Sequence, residues 1–450
     1  MKKLLSFFVA MCLMLSAIVA QVSVWDGTNT VWTNGNGTVT NPYLIETAAQ
    51  LAYLAVYVNN GTAANYGIVG ENTYWKLTTN IDLNSLSWTP IGGNVEYHFG
   101  GHFDGDEHTV ANLATDGDFS KAGVFGSMKG GSIKDIGVVG TSSISSSRGL
   151  DAGAIVGYAL NNATISNCYN TSDLVDERLN HAGGIVGWGS ELTISNCYNT
   201  GNISAGYNSY VGGIIGHAGV STTINNCYNT GNISASGATP NAAGIVAYNG
   251  SFLTVNNCYN TGNVSSPWLA AGIAGSGEAT NNCYNTGTIY SPYSNYTYAI
   301  GYYPVNNCYY LEGSAPEAGA GCGVSKSAAE MKAQAFVDLL NSGPIPNNAY
   351  TRDLVPVNNG FPILKWQAGE VGIMENVLSN ISVYPNPTRG QLIIATEQVP
   401  LSNYNIYSIT GQVMMQGKLY GEITTINVES LPMGIYFLRV AEGAVRFVKQ

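Results

Sequence analysis

The sequence predicts an all-β protein: a parallel β-solenoid (β-helix), right-handed by the commoner expectation, with a short capping helix, then a small Ig-like β-sandwich. Three observations carry this. The stretch NCYNTGNIS at 196–204 recurs intact at 226–234 and in variants beginning at Asn167, Asn257 and Asn282, with a last NCYY at 307–310. A Gly-framed apolar tetrad precedes it in successive units, as in Gly184-Ile185-Val186-Gly187 and Gly213-Ile214-Ile215-Gly216. From Asn380 onward, short alternating runs such as Ile435-Tyr436-Phe437-Leu438 are separated by Gly-containing turns, the pattern of a β-sandwich.

In chain order, residues 1–20 read as a secretory signal peptide: Lys2 and Lys3, an apolar run, then Ala20 before Gln21. Cleavage after Ala17 is the alternative. Cys12 follows the bulky Met11, where lipidation wants a small residue, and reads as filler of the run. No later run approaches the roughly 18 apolar residues of a membrane helix, so the mature chain is expected to carry no transmembrane segment. Residues 21–98 form an N-terminal lead-in and cap, and residues 99–310 the solenoid proper.

The repeat period sets the architecture. Cysteines 168, 197, 227, 258, 283 and 308 lie 29, 30, 31, 25 and 25 residues apart, a spacing that means one coil per repeat. Each unit holds short β-type runs, three to a coil in this reading, with Asn and Gly at the corners, where left-handed backbone is tolerated. The slot that Cys168, Cys197, Cys227, Cys258, Cys283 and Cys308 occupy is filled upstream by Leu113 and Ile136, so it points inward and is apolar. Cysteine behaves there as a small hydrophobe. Stacked coils place these thiols about 4.8 Å apart in a column. Close CxxC pairs typical of zinc sites are lacking, and parallel in-register side chains suit the disulfide dihedral poorly. Buried free thiols are the reading, with isolated bridges, Cys308–Cys322 first among them, as the alternative. Next to each inward cysteine, Tyr169, Tyr198, Tyr228, Tyr259, Tyr284 and Tyr309 are expected to point outward as an aromatic file. The asparagines are candidates for corner ladders.

After the last coil, residues 311–366 form a C-terminal cap. Ser327-Ala328-Ala329-Glu330 is a capping box opening a helix over 327–341, expected to cover the open end of the solenoid together with Phe361-Pro362-Ile363-Leu364. Residues 367–379 read as a linker and 380–450 as the terminal sandwich.

Composition narrows the function. Charged residues make up 10% and the net charge is −11, which argues against a nucleic-acid partner, since phosphates need a basic surface. From His181 to Tyr310 the acids are Glu191 and Glu278, with no Lys or Arg, so acid–base catalysis on that stretch lacks its groups. The one dense polar cluster runs from His98 to His108. Its His102, Asp104, Asp106 and His108 are weak metal candidates, weighed against a Gly/Asp-rich corner. Asp173, Asp176, Glu177 and Arg178 read as a solvated insertion between coils. No cofactor is expected.

Two resemblances add to this reading. The tetrads Gly123-Val124-Phe125-Gly126 and Gly184-Ile185-Val186-Gly187, with Asn41-Pro42-Tyr43-Leu44-Ile45, Asn80-Ile81-Asp82-Leu83 and Phe103-Asp104-Gly105, resemble GLUG-motif repeat proteins over about residues 35 to 366. Such arrays occur in bacterial surface proteins and adhesins, and beside a zinc peptidase domain, whose HExxH none of the five histidines begins. The segments Tyr384-Pro385-Asn386-Pro387, Gly411-Gln412-Val413 and Leu431-Pro432-Met433-Gly434-Ile435-Tyr436, with the basic end Lys449-Gln450, resemble the type A C-terminal sorting domain of type IX secretion in Bacteroidetes. That resemblance implies the secretion machinery as partner, with Pro385, Pro387, Gly434, Tyr436 and Lys449 in the sorting signal, followed by release or surface attachment. The expectation is therefore a non-enzymatic exported protein, adhesin-like toward a glycan or matrix partner. Its alternatives are a polysaccharide-degrading β-helix enzyme and a structural coat or spacer without a ligand.

Overall fold

The computed structural model describes residues 22–368 and 381–449, apart from 62–66, 94–95, 118, 145–149, 207–208, 277–278, 293–295, 304, 316–322, 346–347, 355–356, 397–402, 409–412, 420, 422 and 441–442. The expected signal peptide, Cys322, Glu278 and nearly all of the expected linker lie outside the described residues. The chain divides into two compact units, 1–365 and 366–450.

The first unit is a parallel β-solenoid. One coil shows its plan: Leu179–Gly183, Val186–Gly189, Leu192–Ser195, Tyr198–Asn199 and Ile203–Ala205 are strands of five different sheets. We call these walls I to V. Wall III stacks ten strands, from Tyr43–Ile45 to Val305–Asn306, and wall IV eleven, from Val22–Val24 to Val324–Lys326. The expected three strands per coil is thus corrected to five. A coil near 30 residues, cornered by single Asn residues and Gly pairs, makes room for more and shorter strands. Parallel ladders also run upstream of residue 99, since Val22–Val24 pairs with Asn80–Asp82.

Corners come from residues able to hold a left-handed backbone. Asn112, Asp135, Asn167, Asn196, Asn226, Asn257, Asn282 and Asn307 all have φ between 51° and 57°. Each precedes the inward slot. In that slot Leu113, Ile136, Cys168, Cys197, Cys227, Cys258, Cys283 and Cys308 are buried, and the six cysteines are free thiols. Sulfur does something here that Leu or Ile cannot. The backbone N–H of Cys197 donates to Sγ of Cys227 at 3.4 Å, and the contact repeats from Cys168 through Cys283 at 3.3–3.4 Å.

A second asparagine ladder is buried in the wall. Asn199 Nδ2 donates to Gly201 O at 2.7 Å and to Asn229 Oδ1 at 2.8 Å. The same pair of bonds recurs along Asn170, Asn229 and Asn260, and Asn285 ends the run. This explains the first glycine of the tetrad: a Cβ on Gly213 would stand 2.1 Å from Gly244 O and 2.5 Å from Asn229 Cγ. The two halves of the repeat therefore require each other, although Ala154 holds the equivalent place in the Asn170 coil.

Helix α1, Ala48–Asn59, was not expected from the sequence. Thr47 caps it by accepting from Gln50 N–H, and Leu51, Leu54, Ala55 and Val58 are buried, a helical spacing that was present to be read. At the other end the capping box of Ser327 and Glu330 forms. The single helix expected over 327–341 is corrected to α2, Ala328–Met331, and α3, Gln334–Asn341. Ala333 between them is extended, with ψ 153°. The break turns Met331 and the Phe336/Val337/Leu340 face inward together, whereas one straight helix, at about 100° per residue, would set Met331 roughly 140° from Phe336 and roughly 180° from Leu340.

The second unit is antiparallel. It holds a three-stranded sheet (Ile381–Tyr384, Gln391–Thr396, Ile423–Asn427) and a four-stranded sheet (Asn403–Ser408, Val413–Lys418, Gly434–Val440, Gly443–Lys449). Its core includes Leu392, Ile394, Ile406, Leu438 and Phe447.

Candidate binding face

The tyrosine file stands in register along wall IV, Tyr169 through Tyr309. Its ring centroids are 4.9 Å apart from Tyr169 to Tyr198 and from Tyr198 to Tyr228, with the planes 2° from parallel. The expectation of an exposed file is corrected in two respects. Neighbouring rings occupy each other's faces, so Tyr169, Tyr198 and Tyr228 are half-buried, and burial pushes the Tyr198 hydroxyl up to about 12. Tyr259, Tyr284 and Tyr309 are buried outright, because the C-terminal segment folds back along this wall. Phe336 meets Tyr309 edge-on at 5.2 Å, and Tyr350 lies 6.0 Å from Tyr284. Tyr350 donates its hydroxyl to Asn282 O at 2.9 Å, Asn358 Nδ2 donates to the Tyr284 hydroxyl at 2.8 Å, and Tyr284 in turn donates to Pro362 O. The expected cover of the open end thus lies at least partly on the flank.

The weak metal candidates do not converge. Asp104 pairs with Lys134 at 2.7 Å and Asp106 with Lys76 at 2.9 Å. His102 stacks on Tyr74 and shares a hydrogen bond with Ser132, while His108 contacts Asn80. Burial, followed by Lys121 and Lys129, pushes His98 down to about 4. Among the described residues no three His, Cys, Asp or Glu side chains gather as a metal-holding group. The insertion expected at 173–178 is corrected in part: Leu174–Asp176 begins wall V, and Asp173 accepts from Asn202 N–H at 2.7 Å. The side chain of Asp176 lies outside the described residues.

A different cluster assembles where walls I and II meet. The tetrad is the bend between them, and its last glycine lets them close: a Cβ on Gly187 would stand 2.6 Å from Ala152 N of the coil before. Parallel register then files the residue after each tetrad, Tyr158, Trp188, His217 and Tyr248, along wall II. Asp151, His181 and Tyr210 file along wall I. Tyr158 and Trp188 stack at 4.6 Å, as do Tyr210 and Tyr248, and His181 lies over Tyr210 at 5.4 Å. His181 Nδ1 lies 2.6 Å from Asp151 Oδ1, and its Nε2 lies 3.3 Å from His217 Nδ1. Lys121 sits 4.4 Å above the Tyr158 ring. Burial, followed by His181, pushes His217 down to about 4. These side chains are half-buried except Tyr248, which is 37% exposed. Sequence reading missed this cluster because no single residue type runs through the four positions, which hold Tyr, Trp, His and Tyr. The available signal was position: each follows a tetrad.

In the terminal unit Pro385, Pro387 and Gly434 are exposed. Tyr436 is buried and donates its hydroxyl to Pro432 O at 2.9 Å, while Lys449, also buried, pairs with Gly434 across the sheet.

Known proteins agree with this division. Residues 382–450 match the secretion system C-terminal sorting domain and residues 149–175 the GLUG motif. A protein of Evansella cellulosilytica described as a Gly-rich membrane protein is 32% identical over 131 residues, 27% of this chain and 13% of that one. The halomucin of Haloquadratum walsbyi is 29% identical over 179 residues, 36% of this chain and 2% of that one. The match thus spans only a small part of either relative. No solved structure matches. Residues 149–175 thus carry the GLUG motif within the solenoid and residues 382–450 a type IX secretion sorting domain, and the chain is exported to the cell surface or beyond.

Proposed function

We propose that the exported solenoid is a non-catalytic, adhesin-like binder, and that its ligand is a glycan met by the cluster of walls I and II. The observation that carries this is the concentration of Tyr158, Trp188, Tyr210, Tyr248 and their polar partners where walls I and II meet, on strands otherwise made mainly of Gly, Ala, Val, Ile and Leu. Aromatic bodies with polar tips suit a partner that offers both apolar C–H faces and hydroxyls. The non-catalytic part rests on the scarcity of Asp, Glu, Lys and Arg from His181 to Tyr310, although the fold brings Asp151 of the coil before to His181 within the cluster. One relative's description as a membrane protein suits a surface setting.

The tyrosine file favours a second reading, a spacer without a ligand, because its rings pack against each other and under the cap. Retention of the exported protein on immobilised polysaccharides, mucins and matrix proteins separates the two. Saturable retention on a glycan, lost on Trp188→Ala and without released fragments, is expected. Retention indifferent to Trp188→Ala moves the ligand elsewhere, fragment release makes the protein an enzyme, and silence across the panel makes it a spacer.

A further inference from the structure

Within the same cluster, Asp151, His181 and His217 form a line that glycan contact does not require. We propose that His181 Nε2 and His217 Nδ1 together hold one divalent transition-metal ion, zinc by its geometry, with Asp151 as the outer partner of His181. The proposal is independent of the glycan reading.

The argument begins with the carboxylate. Asp151 Oδ1, 2.6 Å from His181 Nδ1, accepts that N–H and leaves Nε2 with its lone pair free. Metal-bound histidines carry this kind of partner on their other nitrogen, which fixes the tautomer and the ring plane. The free Nε2 faces His217 Nδ1 at 3.3 Å. Two nitrogens each about 2.0–2.1 Å from a tetrahedral ion stand roughly 3.3–3.4 Å apart, so the observed gap suits a shared ion. Without an ion the same gap is spanned by a long direct hydrogen bond between the two rings, which metal binding would replace.

Both rings are held from the side. His181 lies on Tyr210 with the planes 13° apart, and His217 is met edge-on by Trp188 at 5.7 Å, by Tyr210 at 5.5 Å and by Tyr248 at 5.0 Å. The two histidines come from different walls of adjoining coils, His181 in register with Asp151 and His217 with Trp188, so backbone pairing preorganises them before any ion arrives. Lys121 is the opposing charge nearby, and it is engaged over the Tyr158 ring. Two imidazoles are fewer than the four ligands of a closed structural zinc site. The ion is therefore exchangeable, and its remaining positions go to water or to an oxygen of a bound molecule.

The test titrates Zn²⁺ into EDTA-stripped full-length exported protein by calorimetry, with Cu²⁺ as a spectroscopic probe because it binds such ligands more tightly. One equivalent should bind. His181→Gln and His217→Gln should each abolish it, and Asp151→Asn should weaken it about 10–100-fold. His98→Gln, His102→Gln and His108→Gln should leave it unchanged. Cu²⁺ in the native protein should show hyperfine coupling to two imidazole nitrogens, a readout that needs no variant to fold. Absence of a bound equivalent, one or no coupled imidazole, or undiminished binding in a natively folded His217→Gln protein would overturn the proposal.

Discussion

Asn229 sits at the centre of the buried amide ladder, with its oxygen accepting a hydrogen bond from Asn199 Nδ2 and its nitrogen donating to both Gly231 O and Asn260 Oδ1. Truncation to alanine strands Gly231 O and Asn260 Oδ1, each costing about 1–3 kcal/mol when left unpaired, and leaves Asn199 Nδ2 with its Gly201 bond alone. Asn229→Ala is therefore expected to destabilise the solenoid by at least roughly 2 kcal/mol, read as a fall in urea midpoint. The exposed corner residue Asn202, whose oxygen accepts only the Asn232 N–H, should tolerate the same change with a much smaller loss. An equal loss at the two positions would deny the ladder its role. Both kinds of asparagine were visible in the sequence as repeats, but their difference was not. The inward cysteine was legible because Leu113 and Ile136 share its slot. That its sulfur accepts a backbone N–H from the coil before depends on a between-coil distance that no single coil's sequence states.

Among the elements, the repeat strands were legible from period and corner residues, whereas helix pieces and flank packing were not. The break at Ala333 depends on which wall α3 must face, and the burial of Tyr284 on a segment more than 60 residues downstream. Long-range packing of this kind overrides local pattern. Tyr350 is the main pin of that segment: its buried hydroxyl reaches Asn282 O at 2.9 Å and Cys258 O at 3.2 Å. Tyr350→Phe keeps the ring and removes the one hydroxyl hydrogen that these two carbonyls share, so about 1–2 kcal/mol of cap docking should be lost without loss of the solenoid. Hydrogen exchange over 327–364 should quicken while exchange in the Asn199–Asn260 ladder stays slow. Quickening of both together would mean that cap and coils open as one.

At the scale of the whole solenoid, each coil touches chiefly its neighbours, so stability propagates along one dimension and opening starts where a coil lacks a partner. The thiol column offers a built-in reporter of that process. Burial pushes Cys168, Cys197, Cys258 and Cys308 well above the usual thiol range, whereas at Cys227 and Cys283 burial is outweighed by hydrogen bonds with the neighbouring cysteines, which hold them below it; all six are enclosed, and a thiol that the reagent cannot reach does not react. Labelling therefore requires a coil to open. Cys308 ends the described thiol column and Cys197 has coils on both sides, so the cap protects the former far more than the latter. In mild urea, mass-spectrometric mapping of maleimide labelling should find Cys308 and Cys283 modified before Cys197 and Cys168. Tyr350→Phe should widen that interval by hastening the first pair alone. If all the column thiols label at one common rate in both proteins, the solenoid opens as a single cooperative block, and the nearest-neighbour account of its stability fails.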